Sequence, residues 1–190
     1  MIFEQLFDQK SSTYTYIIAS GEGREALIID PVIEHSDEYS TILKNLDLKL
    51  VKVIDTHIHA DHISALNELN KRTNCIRVMG EKSKSEVIDL RIKDGEKINV
   101  EEVELQAIYT PGHTDCSYSF LMNDRVFTGD TLLINGSGRT DFQNGNAYDA
   151  YDSIFNKLLK LPEKTFVFPA HDYNGKKFST IENEKNNNPR

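Results

Sequence analysis

The segment Thr-His-Ile-His-Ala-Asp-His at residues 56–62 constrains the fold more than any other part of this chain. It holds three of the six histidines and directly follows an apolar run typical of a buried strand. His57 and His59 alternate on what should be extended chain, and Asp61 and His62 follow where the chain should turn into a helix. This spacing lets imidazole and carboxylate groups converge on one point. It therefore predicts a metal site rather than a polar loop in which these residues are incidental.

Three further candidate ligands follow other predicted strands. His113 lies in a turn after Val103–Thr110, Asp130 comes just past Arg125–Thr128, and His171 comes just past Thr165–Phe168. A single histidine in such a turn is usually a hydrogen-bonded structural residue. Several strand ends that all carry ligand-type residues favour one shared site, because rigid folds usually present functional side chains on loops. His35 has no such neighbours and is expected to be a surface residue.

The rest of the chain indicates an α/β layered domain that spans residues 1–190. Apolar runs between turn residues predict the strands Ile2–Phe7, Tyr14–Ser20, Glu25–Asp30, Leu50–Asp55, Cys75–Met79, Val103–Thr110, Tyr118–Met122, Arg125–Thr128 and Thr165–Phe168. Helical spacing and helix-start residues predict the helices Ser36–Asn45, Ser64–Lys71, Asp149–Leu159 and Thr180–Asn187. Strands and helices interleaved in this order are typical of layered α/β folds.

Charge and hydropathy exclude several classes of function. The formal net charge is -8 and the chain has no basic stripe, so nucleic acid is not an expected partner. No apolar run is long enough to cross a membrane, and the N-terminus lacks the pattern of a secretory signal. We therefore expect a cytoplasmic protein. Cys75 and Cys116 form no Cys-x-x-Cys pair and are expected to be reduced and structural.

The ligand-type residues, in this order, resemble the metallo-β-lactamase fold family. The resemblance covers essentially the whole chain and implies an αββα four-layer sandwich with the site at one edge of two facing sheets. Two kinds of metal centre are compatible with these residues. All seven residues could hold two zinc ions and a bridging hydroxide for hydrolysis. Alternatively, His57, His113 and Asp130 alone could hold one metal, and this two-histidine, one-carboxylate pattern suits ferrous iron and dioxygen chemistry.

Three other segments resemble one branch of that family, the persulfide dioxygenases. They are the loop GDTLLINGSGRTDFQNG at residues 129–145, the PAHDYNG segment at residues 169–175, and the ending from Ser179 to Arg190. Glyoxalase II shares the histidine-rich core. It differs in the residues that follow the loop arginine and the last histidine, and it has a helical C-terminal domain that binds glutathione. Only a short segment follows His171 here.

The resemblance implies oxidation of glutathione persulfide by O2 to sulfite and glutathione at one Fe(II) per chain, held by His57, His113 and Asp130. With a single carboxylate ligand the ferrous site would carry a net positive charge that attracts an anionic persulfide. The residues His59, Asp61, His62 and His171 would orient the ligands and bind water or oxygen, or would hold a second metal in the alternative reading.

Two side chains are candidates for binding the substrate. Arg139 would pair with a glutathione carboxylate, unless it only forms a salt bridge with Asp141. Tyr173 would contribute a phenol to the same substrate, unless it is only a packed aromatic residue. Cys116, where the family often has a glycine nearby, is expected to be a small buried residue at the start of a strand rather than a persulfide carrier.

The sequence also leaves other metals, other functions and additional domains or subunits as alternatives. Zinc could replace iron in the same ligands, or a dinuclear zinc site could hydrolyse thioesters as in glyoxalase II. A non-catalytic binding module would not need the complete set of ligand-type residues, and an RNA-processing nuclease would need a basic surface. The persulfide dioxygenases usually continue past Asn188-Pro189-Arg190, so a C-terminal extension, a homodimer, and a rhodanese-type partner or fused domain are all considered.

Overall fold

Two six-stranded β-sheets face each other in the computed structural model, which describes residues 1–190. The first sheet contains, in spatial order, β1 (Ile2–Asp8), β2 (Thr13–Ala19), β3 (Glu25–Ile29), β4 (Lys49–Ile54), β5 (Ile76–Gly80) and β6 (Leu90–Ile92). The second contains β12 (Ser179–Thr180), β11 (Phe166–Pro169), β10 (Arg125–Gly129), β9 (Tyr118–Met122), β8 (Val103–Tyr109) and β7 (Lys97–Val100). The helices are α1 (Ser36–Asn45), α2 (Leu66–Thr73), α3 (beginning with Ala147–Tyr151) and α4 (Ile181–Asn187).

Strand direction brings the loops of interest to one edge of the second sheet. β8 and β9 are antiparallel, as are β9 and β10, whereas β10 and β11 are parallel. The strands β8, β10 and β11 therefore run in the same direction, and their C-terminal ends lie at the same edge. In the first sheet the pairs from β3 to β6 are all parallel.

Three apolar clusters separate the four layers. The largest contains 18 buried residues from the facing sides of both sheets, including Tyr16, Phe120 and Phe127. A second, of 14 residues, packs the outer side of the first sheet against α1 and α2. A third, of seven residues, packs the second sheet against α3 and α4. Burial of both faces of each sheet gives the predicted αββα four-layer sandwich, which is confirmed.

The predicted elements are present, with shifts of one or two residues at most ends, while three short strands were not predicted. β6, β7 and β12 have only two to four residues. β7 alternates exposed polar with buried apolar residues over too short a length to stand out, and in β6 only Ile92 is buried. His35 lies at the surface, as predicted, with 31% of its side chain exposed, and its ring pairs with Asp8 and Glu38. No helix is both long and apolar enough to cross a membrane.

The third helix differs most from its prediction. It begins at Ala147 rather than Asp149, because the Asn146 side chain accepts hydrogen bonds from the backbone N–H groups of Tyr148 and Asp149. It continues through a π-helical segment, Asp152–Lys157, and a 3-10 turn, Leu158–Lys160. π-Helical turns are rare and often lie beside functional sites, and this one packs against the loop that carries His113.

Candidate metal centre

The two sheets are joined by backbone hydrogen bonds at the edge where the candidate ligands lie. The N–H of Tyr118 in the second sheet donates to the carbonyl of Thr56 just past β4, at 2.9 Å. Conversely, the N–H of Tyr14 in the first sheet donates to the carbonyl of Ala170 just past β11, at 2.7 Å. The loops after β4, β8, β10 and β11 therefore converge on one place although they come from different sheets.

Three of the predicted ligands form the tightest group. The Nε2 atoms of His57 and His113 lie 3.9 and 3.5 Å from Oδ2 of Asp130. One ligand atom from each of the three residues lies within 4.8 Å of the other two. The rings of His57 and His113 are nearly perpendicular, with centroids 5.0 Å apart. Two imidazole nitrogens and one carboxylate oxygen thus face a common point.

Hydrogen bonds on the far side of the His57 ring determine its tautomer. Its Nδ1 lies 2.9 Å from Oγ1 of Thr56, and that hydroxyl donates its own proton to Oδ2 of Asp30 at 2.9 Å. The Thr56 oxygen must therefore accept a hydrogen bond from Nδ1–H of His57. This leaves the lone pair of Nε2 facing Asp130, which is the state a metal ligand requires.

A similar contact orients His113. Its Nδ1 lies 2.9 Å from the carbonyl oxygen of Arg139, which can only accept, so Nδ1 carries the proton and Nε2 is free to bind a metal. The preceding residue, Gly138, donates its N–H to the carbonyl of Asp130 at 2.9 Å. A Cβ at Gly138 would lie 2.2 Å from that oxygen and 2.9 Å from Nδ1 of His113, so only glycine allows this approach.

Burial and neighbouring charges set the protonation of these ligands. Burial, together with the charge of the nearby His59, lowers the pKa of His57 to about 3, so its imidazole is neutral at physiological pH. Burial alone would raise the pKa of Asp130. The hydrogen bond from His171 and the surrounding imidazoles outweigh it and hold the pKa well below its usual range. The group therefore presents a neutral imidazole at His57 and an ionised carboxylate at Asp130.

His59 lies beside His57, with ring centroids 4.2 Å apart, but one of its two ring nitrogens is held by Asp30. Its Nε2 lies 3.1 Å from Oδ1 of Asp30, while its Nδ1 is buried without a hydrogen-bond partner. Burial opposes the charged form, but the charge and hydrogen bond of Asp30 raise the pKa of His59 to about 9. The neighbouring Asp55 is buried beside the same pair, and burial raises its pKa to about 7.

Asp61, His62 and His171 form a second network next to the first. Oδ2 of Asp61 lies 2.9 Å from Nδ1 of His62, 3.0 Å from Nε2 of His171 and 3.1 Å from Oγ1 of Thr13. Nδ1 of His171 lies 2.6 Å from Oδ1 of Asp130. Burial disfavours a charged His171, but its position between two carboxylates raises its pKa to about 10. His171 therefore connects Asp130 with Asp61.

A cleft of about 240 Å³ opens onto both networks. Its walls contain His113, Asp130, His171, Asp61, Arg139 and Tyr173, together with Ala60, Phe142 and Gln143. The Arg139 side chain is 64% exposed and forms a bidentate ion pair with Asp141 at 2.7 and 3.0 Å. This is the salt bridge that the sequence offered as the alternative to substrate binding. Tyr173 is 71% exposed, and its ring lies nearly parallel to that of His171 at 6.1 Å.

Asp30, Thr56 and Thr13 were not identified as functional residues from the sequence. Asp30 ends an apolar strand next to β4, so the strand-end argument used for Asp130 would also have selected it. Thr56 and Thr13 carry no such signal, because a hydroxyl beside a histidine is common in loops. Cys75 and Cys116 are free and buried, as expected.

The donors present can hold a metal. Two imidazoles and one carboxylate suit a first-row transition metal and leave coordination positions open. His59, Asp61 and His62 form a second group whose ligand atoms lie within 4.8 Å of one another, and Nε2 of His62, like Nδ1 of His59, is buried without a partner. Unpartnered buried nitrogens beside a carboxylate are what a second metal position would present.

The comparisons with known proteins agree with this geometry. A family model described as "Metallo-beta-lactamase superfamily" matches residues 9–89 and 80–171. The persulfide dioxygenase ETHE1 of Mus musculus is 42% identical over the whole chain, which spans 76% of that protein. A hydroxyacylglutathione hydrolase of Dictyostelium discoideum is 29% identical over 92% of the chain and 68% of its own length. The crystal structure of ETHE1 from Myxococcus xanthus, 48% identical, superposes with a TM-score of 0.98 and covers the whole chain and 84% of that structure.

Proposed function

This chain belongs to the metallo-beta-lactamase superfamily and, within it, to the family of the ETHE1 persulfide dioxygenases, and we propose that it oxidises glutathione persulfide with O2 to sulfite and glutathione at a single Fe(II) ion. His57, His113 and Asp130 would hold the ion. The remaining ligand-type residues, His59, Asp61, His62 and His171, would support these three without binding iron.

The observation that carries this proposal is the grouping of His57, His113 and Asp130, whose ligand atoms lie within 4.8 Å of one another. His57 and His113 direct Nε2 towards Asp130, whereas His59 is held by Asp30. A set of two histidines and one carboxylate with open positions is the pattern used by non-haem iron oxygenases. When bound there, Fe(II) supplies the redox chemistry that dioxygen requires.

The protein's own residues would bind and orient the persulfide. Arg139 and Tyr173 lie in the wall of the same cleft as His113 and Asp130. The Arg139 guanidinium presents a fork of donors that matches a carboxylate, and it would exchange Asp141 for a carboxylate of the substrate. The phenol of Tyr173 would donate to the same substrate, and the apolar side chains of Ala60 and Phe142 would limit water around the reacting sulfur.

The second candidate function is hydrolysis of a glutathione thioester at two zinc ions. It is favoured by the unpartnered nitrogens of His59 and His62 beside Asp61, which could hold a second ion. The two functions differ in metal content and in co-substrate, so one set of measurements separates them.

The test uses protein purified without oxygen. We expect about one iron per chain, uptake of O2 when glutathione persulfide is added, and formation of sulfite. Two zinc ions per chain together with hydrolysis of lactoylglutathione would overturn the proposal in favour of the hydrolase. Absence of bound metal and of both activities would leave the fold as a binding module.

Asp130→Ala provides the matched test of the ligand assignment. Because Asp130 is the only carboxylate in the group, the variant should lose its iron and lower kcat at least about a hundredfold. Asp124→Ala, at the other end of β10 and paired with Arg125, should keep both metal and activity. A full complement of iron in Asp130→Ala would show that the metal binds elsewhere.

A further inference from the structure

One buried carboxyl group lies outside both networks of the candidate metal centre. Glu184 of α4 is 1% exposed, and every hydrogen bond to its side chain comes from an uncharged donor. Its Oε1 accepts from the hydroxyl of Ser179 in β12 and, at 3.0 Å, from Nδ2 of Asn183. Its Oε2 accepts from the backbone N–H of Asn135 at 2.9 Å and from Nδ2 of Asn188 at 2.8 Å. A carboxyl group is costly to bury unless such donors surround it, so Glu184 joins α4 and β12 to the loop that follows β10.

The loop residues that contact α4 form a tight turn. Within the turn, the N–H groups of Leu133 and Gly136 donate to each other's carbonyl oxygens at 3.0 and 3.3 Å. Asn135 has φ of +56°, a left-handed conformation that asparagine adopts more readily than most residues, and its N–H donates out of the turn to Glu184. The carbonyl of Gly136 also accepts from Nδ2 of Asn188 at 3.0 Å. Glu184 and Asn188 therefore bind one backbone donor and one backbone acceptor of the turn.

Hydrogen bonds rather than packing hold this loop beyond its first residues. Leu132 and Ile134 are buried, but no residue between Ile134 and Ala150 is. Arg139 lies in this stretch, and its side chain is exposed. A segment with few buried apolar contacts opens easily. The hydrogen bonds from α4 and from the residue that caps it are therefore made at the point where the loop loses its anchorage in the core.

The turn leads directly into residues that contact the metal centre. The N–H of Gly138 donates to the carbonyl of Asp130 at 2.9 Å. The carbonyl of Arg139 accepts from Nδ1 of His113 at 2.9 Å. These two hydrogen bonds hold the backbone beside the metal ligands, whereas the turn before them sets the direction from which the Arg139 side chain enters the cleft. A shift of the turn would therefore displace the Arg139 guanidinium more than the metal ligands.

We propose that Glu184 and Asn188 are positioning residues that fix the turn before Arg139 and so hold its guanidinium where a carboxylate of the substrate binds. This inference rests on the proposed function for the role of Arg139, but the contacts that fix the turn do not depend on it. Neither residue lines the cleft or belongs to a group of ligand-type residues, so both act only through the loop. Bidentate pairing of a guanidinium with a carboxylate depends on geometry, so a small displacement of the loop weakens it.

The test is made at Asn188, because a truncation of Glu184 would leave four donors without their acceptor and disturb the core. Asn188 is half-buried, and its own backbone N–H donates to the carbonyl of Glu184 at 3.2 Å whatever its side chain. Asn188→Ala removes the side-chain donor to Gly136 and Glu184 and keeps that backbone bond. Asn186→Ala removes the same kind of side chain from an exposed position in α4 and is the matched control.

A second variant separates the hydrogen bonds of Asn188 from the shape of its side chain. Asn188→Asp has nearly the same volume, but it places acceptor oxygens opposite two acceptors, the carbonyl of Gly136 and Oε2 of Glu184. A residue that only filled space would tolerate this change, whereas a donor that positions the loop would not. We therefore expect Asn188→Asp to be at least as defective as Asn188→Ala.

With the iron-loaded enzyme we expect Asn188→Ala to raise KM for glutathione persulfide about fivefold and to leave kcat and iron content unchanged, measured by O2 uptake and metal analysis. Asn188→Asp should raise KM at least as much, and Asn186→Ala should behave as wild type. An unchanged KM in Asn188→Ala, or a KM that Asn188→Asp restores, would overturn the proposal. So would a fall in kcat that follows a loss of iron, which would give Asn188 a structural role only.

A second measurement does not depend on activity. Arg139 is exposed, so trypsin cuts after it when the loop opens, and the rate of cleavage reports how often the loop opens. Followed by mass spectrometry, cleavage after Arg139 should be about fivefold faster in Asn188→Ala than in wild type or Asn186→Ala. Cleavage after Lys84, in the separate loop that follows β5, should not change. Equal rates after Arg139, or an equal increase after Lys84, would overturn the proposal. If wild type consumes no O2 with glutathione persulfide but this difference in cleavage is present, the proposed function fails and the anchoring of the loop stands.

Discussion

Arg139 is the residue whose role depends most on what occupies the cleft. Its guanidinium forms a bidentate pair with Asp141, so binding a substrate carboxylate replaces one charge-assisted pair by another. We expect Arg139→Ala to raise KM for glutathione persulfide about tenfold with little change in kcat, measured by O2 uptake. Arg125→Ala removes an arginine in a similar pair with Asp124, away from the cleft, and should leave KM unchanged. An unchanged KM in Arg139→Ala would show that the ion pair with Asp141 is its only role.

The pair between His35 and Asp8 makes stability depend on pH in a known direction. The hydrogen bond to Asp8 raises the pKa of His35 above its ordinary value of 6.5. The stabilisation from protonated His35 is therefore fully present below about pH 6.5 and is lost as pH rises through the higher folded value.

We accordingly expect His35→Ala to lower Tm at pH 6, and to lower it less at pH 9.5. The comparison is made by thermal unfolding followed by circular dichroism. Lys10→Ala, which removes an exposed partner of Glu34, serves as the control and should show no such trend. A decrease in Tm that is the same at both pH values would mean that His35 contributes by packing and not by charge.

At the level of single residues, the sequence predicted which ligand-type side chains lie close together. It did not predict which of their nitrogen and oxygen atoms carry the protons. All seven ligand-type residues lie at one edge because each follows a strand, and strand ends are readable from apolar runs. Which nitrogen of His57 carries the proton, and which is free to face Asp130, depends on Thr56 and Asp30. That choice is made by side-chain rotation and burial, which no local pattern encodes.

Among the elements, α3 positions the loop that carries His113. The N–H of Asn146 donates to the carbonyl of Gly112 at 2.8 Å, and Oγ of Ser153 donates to the carbonyl of Pro111 at 2.6 Å. Gly112 has φ of +141°, and a Cβ there would lie 2.3 Å from Cα of Ala150. The helix can approach this loop only because residue 112 is glycine.

Gly112→Ala should therefore separate α3 from the loop. We expect a loss of about 3 kcal/mol in the free energy of unfolding and weaker retention of metal, measured by urea denaturation and metal analysis. Gly136→Ala is the control, because the nearest atom to its Cβ is 3.9 Å away. Equal stability of the two variants would mean that the loop and helix adjust without strain.

The predictions of elements were good where a run was long and apolar, and poor where it was short. β6 and β12 have three and two residues and are strands only because longer neighbours pair with them. The π-helical part of α3 likewise has no sequence signal of its own, since its residues repeat at ordinary helical spacing. Tertiary packing decides both features.

For the whole molecule, the position of the site follows from how the two sheets are held together at one edge. The hydroxyl of Tyr16, on the inner face of the first sheet, donates to the carbonyl of Pro169, the last residue of β11 and two residues before His171. Together with the backbone hydrogen bond from Tyr14 to Ala170, it connects the sheets directly beneath the candidate metal centre. The family resemblance implied two facing sheets, but the sequence contained no sign of this connection.

Two buried tyrosines allow the contribution of this connection to be measured. Tyr16 and Tyr118 both lie in the apolar cluster between the sheets and are each 1% exposed, but the hydroxyl of Tyr118 has no hydrogen-bond partner. Tyr16→Phe leaves the carbonyl of Pro169 buried and unpaired, so we expect it to lower the free energy of unfolding by about 1–2 kcal/mol. Tyr118→Phe removes a hydroxyl that is already unsatisfied, and should leave stability unchanged or raise it slightly. Urea denaturation of both variants makes the comparison, and equal effects would mean that the hydroxyl of Tyr16 contributes nothing to holding the sheets together.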